Sequence, residues 1–115
     1  GAVVDSLRFM RHMAAFEPVL RVPDPMRGYI RIKSPDWYEC QEWLFLDTRI
    51  ADAYLRYGRT AEARHLLDWV TAQASFNDNQ IPEMFGYEHA TYEGAIPMVG
   101  FGAGTYVLAM LHLHR

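Results

Sequence analysis

Apolar positions recur at helical spacing in several stretches of the chain. Residues 3–16 carry Val3, Leu7, Met10 and Ala14 along one line, with Arg8, Arg11 and His12 mostly off it, and Pro18 is expected to end the pattern. Residues 43–57 place Trp43, Leu46, Ile50, Ala53 and Tyr57 on one face. Asp52 and Arg56 stand at a pairable i,i+4 spacing off that face. Gly58 suits the left-handed position that stops a helix. Thr60 is expected to cap the next helix, with Glu62 near its positive end. That helix shows Ala63, Leu66, Leu67, Val70 and Ala74 on one line. The short Gly58-Arg59-Thr60 connection predicts antiparallel neighbours, an αα-hairpin. A last helix is predicted over 101–114; its centre, 106–111, is apolar all round, the pattern of a buried helix.

Two punctuated stretches separate these patterns. Residues 18–41 hold Pro18, Pro23, Pro25, Gly28 and Pro35, with an alternation over 29–33 that predicts a short strand. Residues 75–100 hold Asn77-Asp78-Asn79, Pro82 and Gly86, which argue against continuous helix. Loops of this length in a small domain usually have a task. The reading is all-α, with antiparallel helix pairs and long loops, and the 115 residues form a single piece.

Composition narrows the function classes. Half of the residues are hydrophobic and 14% are aromatic, enough for a real core, and many of the rings fall in the loops. The net charge is -3 and there is no run of Lys or Arg, so a nucleic-acid partner is not expected. No apolar stretch is long enough to predict a membrane partner. The N-terminal residues lack a secretory pattern, which leaves the compartment open. A single cysteine, Cys40, excludes an internal disulfide framework and reads as a small filler residue.

The loops hold the candidate chemistry. Glu83 follows Pro82, which restricts the backbone of Ile81, and Ile81, Met84 and Phe85 surround it with apolar groups. A carboxylate in such surroundings can be tuned for proton transfer, while an exposed, idle loop glutamate is the plain alternative. Trp37, Tyr38, Trp43, Phe85, Tyr87 and Tyr92 can stack on sugar rings or simply cover helix ends. Of these, Trp43 is the one placed for ligand contact, because Glu42 stands beside it at a loop–helix junction. Asp36, Glu39, Glu42, Glu88 and Glu93 are candidate partners for Glu83, since glycoside hydrolysis uses two carboxyl groups. Gly100-Phe101-Gly102-Ala103-Gly104 lacks both a preceding strand and the Lys-Ser/Thr of a phosphate loop, so close helix packing explains it better. His112 and His114 diverge on a helix, and His12, His65 and His89 add no ligand spacing, so no metal is expected.

The order of these pieces resembles a known family. Glu42-Trp43-Leu44-Phe45-Leu46-Asp47-Thr48, then Ala51-Asp52-Ala53-Tyr54, Gly58-Arg59, and Glu62-Ala63 through to Trp69 is similar to the penultimate helix pair of glucoamylase-type enzymes, glycoside hydrolase family 15. Ile81-Pro82-Glu83 resembles their "PEQ" motif, and Gly94-Ala95-Ile96-Pro97-Met98 before the last helix resembles their C-terminal ending. The resemblance covers residues 28–113. It implies part of an (α/α)6 barrel, inverting hydrolysis of α-glucosidic bonds in oligosaccharides, and no cofactor. Glu83 would be the general base, with Trp43, Glu42, Trp37 and Tyr38 lining the sugar subsite. Met84 stands where the family has glutamine, and Gly100-Phe101 where it commonly has Trp-Ser, so the linkage cleaved is left open. The family's general acid lies upstream of the matched segment. The chain is therefore expected to be a C-terminal portion whose partner is the remaining part of the same catalytic domain. An alternative without catalysis is a tetratricopeptide-like interaction module built on the 54–74 hairpin, although such arrays need several stacked repeats.

Overall fold

The computed structural model describes residues 4–91 and 96–115. Among the described residues are four helices and very little strand: α1 (Ser6–Leu20), α2 (Leu44–Arg56), α3 (Thr60–Ala74) and α4 (Gly100–Leu113), with β1 (Glu42–Trp43) and β2 (Met84–Phe85). None of these helices is long and apolar enough to cross a membrane. The chain is mostly helical, as the apolar periodicity predicts.

Asp5 caps α1 by accepting the Arg8 N–H at 2.8 Å, a contact that typically adds about 1 kcal/mol. Pro18 does not end this helix, which continues to Leu20. A proline inside a helix removes one backbone hydrogen bond and crowds the preceding turn. Anchors on both sides of Pro18 offset that cost. Phe16 and Leu20 pack on the core, and the Glu17 carboxylate accepts from the Tyr29 and Tyr54 hydroxyls. Burial, with Glu17 adding to it, pushes the Tyr54 phenol up to about 12.

The predicted strand over 29–33 is not formed. Tyr29 and Ile30 make only isolated bridges, Arg21↔Tyr29 on one side and Ile30↔Glu42 on the other. Beyond them Glu42↔Phe85 and Trp43↔Met84 pair antiparallel. Backbone pairing therefore steps from Arg21 across Tyr29–Ile30 and β1 to β2, only one or two residues deep at each step. This narrow ladder joins segments distant in the chain, and the candidate site grows from it.

α2 packs against both α3 and α4. The α3 row Ala63, Leu66, Leu67, Val70 and Ala74 is buried as predicted, and Leu66 and Leu67 together remove about 3–6 kcal/mol worth of apolar surface from water. The connection turns at Gly58, whose φ of 73° lies in the left-handed region that glycine adopts without strain. Thr60 is not the cap: Arg59 takes the N-cap position without a side-chain cap bond, and its guanidinium pairs with Glu62 instead. On α2 the predicted face is rotated. Leu44, Asp47, Thr48, Ala51, Asp52 and Tyr54 are the buried residues, so polar groups occupy positions that an apolar count does not favour.

α4 is apolar but not enclosed, contrary to the expectation of a buried helix. Its buried residues are Gly102 and Ala109, whereas Phe101, Val107, Leu108 and Leu111 are exposed. Its inner side is held by Thr105 to Thr48 (2.6 Å), Tyr106 to Thr71 (2.6 Å) and a His112–Asp52 pair. Of its glycines, Gly102 is the one in close packing, where an added Cβ would meet Val99 and Ile81 side chains at 3.4 and 3.5 Å.

Candidate functional site

The backbone before Glu83 is set by turn chemistry. Asp78 and Asn79 take positive φ values of 50° and 60°, and the Asn77 and Asn79 N–H groups both bond the Ala74 carbonyl at 2.9 Å, closing α3. Asn77 also donates to the Pro97 carbonyl at 2.6 Å. Val99 N–H then meets Ile81 O at 3.2 Å, and Glu83 N–H meets Ile96 O at 2.9 Å. Glu83 is thereby fixed on one side by residues 96–99 and on the other by β2. Ile81, Met84 and Phe85 are buried around it, and Glu83 itself is only 8% exposed.

Tyr38 reaches across to this carboxylate. Its O–H donates to Glu83 Oε1 at 2.5 Å, over a sequence separation of 45 residues. Among the described residues it is the side-chain donor to Glu83. The bond pushes the Tyr38 phenol above its ordinary value, with partial burial adding to it. Tyr38 is held from below by Asp36, whose Oδ1 accepts the Tyr38 N–H at 2.9 Å and the Glu39 N–H at 3.3 Å. Trp43 stands edge-on to Tyr38 with centroids 4.9 Å apart, and its Nε1 donates to Tyr38 O at 3.3 Å. The Arg31 guanidinium lies 4.0 Å from the Trp43 ring centroid and 5.5 Å from that of Tyr38. Glu39 grips Arg31 bidentately, with Nε to Oε2 at 2.6 Å, and holds its pKa above the ordinary value. Glu83, Tyr38, Trp43 and Arg31 thus form one cluster of a carboxylate, two rings and a cation.

A second, largely buried network adjoins this cluster at Glu42, the neighbour of Trp43. Glu42 Oε2 accepts Arg27 Nε at 2.8 Å, while Oε1 accepts Gly28 N–H at 2.9 Å and Trp69 Nε1 at 2.7 Å. Arg27 then donates to Tyr87 O at 2.7 Å and to Gly86 O. The Glu42–Arg27 pair therefore clamps the turn that follows β2. Asp47 lies next to it, accepting Tyr29 N–H at 2.8 Å with Oδ1, while Oδ2 is buried without a partner. Burial first, and the Glu42 charge second, push the Asp47 carboxyl well above the ordinary carboxylate range. Gly28 is required by this approach: an added Cβ would sit 1.9 Å from Asp47 Oδ1.

The sequence-predicted residues thus divide. Glu83, Tyr38 and Trp43 come together, and Trp37 is open to solvent at 52% exposure. Glu42 does not line an open site as expected; it is fully buried and its oxygens are used by Arg27, Gly28 and Trp69. Among the candidate partners of Glu83, Asp36 is engaged in its turn and Glu39 in Arg31, and Glu88 is exposed. Glu93, Tyr92, Gly94 and Ala95 lie outside the described residues. His65 bonds Pro25 O and His112 pairs with Asp52, and among the described residues no three His, Cys, Asp or Glu side chains group as a metal site would. Arg27, Gly28, Arg31 and Asp47 are the residues the sequence reading missed. The signal for them was an arginine and a glycine at the end of a proline-rich run, and an acid amid an apolar helix face.

No family model matches the chain, and no similar curated protein or solved structure was found.

Proposed function

We propose that this chain is the C-terminal portion of an (α/α)6-barrel catalytic domain that hydrolyses α-glucosidic bonds in oligosaccharides with inversion, and that Glu83 is the general base. The observation that carries the reading is the Tyr38 O–H bond to Glu83 Oε1 inside the Trp43–Arg31 cluster. A base needs one oxygen oriented and the other free to take a proton from water. Tyr38 orients Oε1, and Oε2 is the proton acceptor. The rings of Tyr38 and Trp37 offer faces to the sugar, and Arg31 offers donors to its hydroxyls. In an inverting reaction the base draws a proton from water as the water attacks the anomeric carbon, while a carboxylic acid protonates the departing oxygen. That acid would stand about 6.5–9.5 Å from Glu83 across the sugar.

The acid belongs to the remaining part of the same catalytic domain. The exposed Phe101, Val107, Leu108 and Leu111 of α4 give that part an apolar face to cover. α2 and α3 would be one antiparallel helix pair of the barrel wall. A tetratricopeptide-like array would have no use for the Arg27–Glu42 clamp and the ordered loops it fixes.

The test is Glu83→Gln in the assembled protein. Turnover of an α-glucoside such as maltose is expected to fall by about 10²–10⁴-fold with sugar binding retained. Undiminished turnover would show that Glu83 is not the base, and release of α-glucose as the first product would exclude inversion.

A further inference from the structure

The far end of α2 carries a second set of charged groups. Trp43 caps the start of this helix beside the Glu83 cluster, and Arg56 closes it about 20 Å away. One turn before that end Asp52 is buried, at 8% exposure, and both of its oxygens are used. Oδ1 meets Nδ1 of His112 on α4, and Oδ2 accepts Arg56 Nε at 3.0 Å. One carboxylate thus holds an imidazole and a guanidinium by their inner nitrogens. The outer nitrogens, Arg56 Nη1 and Nη2 and His112 Nε2, have no partner among the described residues.

Both side chains line an open cavity of about 550 Å³, where the ends of α2 and α4 meet the start of α3. Thr60, Arg115, Leu55 and Leu113 complete its lining. Arg56 and Arg115 therefore bring two cations to the cavity, and no acid is among its described lining residues. Leu55 and Leu113 pack against the hydrophobic core and give the cavity an apolar wall. A guanidinium presents parallel N–H donors that match the oxygens of a phosphate. Asp52 already fixes the Arg56 and His112 side chains, so little of their freedom is lost when an anion binds. The cavity also leaves room beside the cations, against the two leucines, and its volume suits a small organic molecule rather than a bare ion.

We infer that this cavity binds a phosphate ester, with Arg56, Arg115, His112 and Thr60 on the phosphate oxygens and Leu55 and Leu113 on the organic part. The site shares no residue with the Glu83 cluster and stands apart from the glycosidase reading. The experiment is a titration of the whole protein at constant ionic strength with phenyl phosphate and with inorganic phosphate. Chemical shifts of the His112 ring and the Arg56 Nε–H are followed. Phenyl phosphate is expected to move both signals to saturation and to bind about tenfold more tightly than inorganic phosphate, because its ring covers the leucines. Arg56→Gln, at an exposed position, is expected to weaken phenyl phosphate about tenfold, read from the His112 ring. Arg49→Gln removes an equal charge from the neighbouring cavity along α2 and is expected to leave the affinity unchanged. Saturating phenyl phosphate that leaves the His112 ring unmoved would overturn the site. An equal loss in Arg49→Gln and Arg56→Gln would also overturn it, since the attraction would then be diffuse. Equal affinities for phenyl phosphate and inorganic phosphate would overturn the assignment to an ester.

Discussion

α3 and α2 lie against each other yet bury different kinds of surface. α3 buries Ala63, Leu66, Leu67, Val70 and Ala74, a purely apolar row. α2 buries Asp47, Thr48 and Asp52 beside Leu44, Ala51 and Tyr54. An apolar row asks only for other apolar groups, whereas a buried polar row needs a particular partner for each atom. For α2 those partners are the Tyr29 N–H, the Thr105 hydroxyl and the His112 ring. The surface of α3 holds the domain together. The surface of α2 also fixes where a loop must lie, and that loop continues into Arg31 and Tyr38.

This difference predicts two kinds of failure. The largest effect is expected from Arg27→Met, which leaves Glu42 fully buried without its cation. Breaking one partner of such a pair typically costs about 3–5 kcal/mol, read here as the loss of unfolding free energy in urea. Because Arg27 also holds the turn after β2, activity per folded molecule should fall with it. Unchanged activity in the folded fraction would sever the clamp from the site. Leu67→Ala, in the apolar row, is expected to cost about 3 kcal/mol by cavity formation. Its activity per folded molecule should stay at the wild-type value. A similar drop in both variants would mean that the two helices do not divide the work.

The same contrast explains what the sequence disclosed. The row on α3 and the Gly58 stop are local and periodic, and a 3.6-residue count finds them. Pro82 and the apolar neighbours mark Glu83 locally as a candidate. Its bond to Tyr38 spans 45 residues, and no local pattern encodes it. β1 and β2 are two residues each, too short to show alternation. α1 outlasts Pro18 because Glu17 and Phe16 are anchored by residues distant in the chain. The buried face of α2 was misplaced because Asp47 and Thr48 count as polar until their partners are known. The apolar sequence of α4 did not reveal its exposure, since composition says what a helix can bury and not what is there to bury it.

The effect most specific to the polar row is a pH dependence at Asp47. Its folded carboxyl is raised by burial and by Glu42, so the folded chain keeps a proton that the unfolded chain releases. Asp47 therefore contributes fully at pH values below the ordinary carboxylate pKa of about 3.9. That contribution falls as pH rises from there through the elevated folded value, because the unfolded state gains by ionising first. Asp47→Asn keeps an oxygen for the Tyr29 N–H and removes the proton. Relative to wild type, its unfolding free energy should gain steadily across that window and then level off. Urea unfolding at intervals from pH 3 to 9 measures the difference directly. Parallel curves for the two proteins would mean that Asp47 ionises in the folded state as freely as in the unfolded one, and the buried polar row would then lack the charge constraint that sets α2 apart from α3.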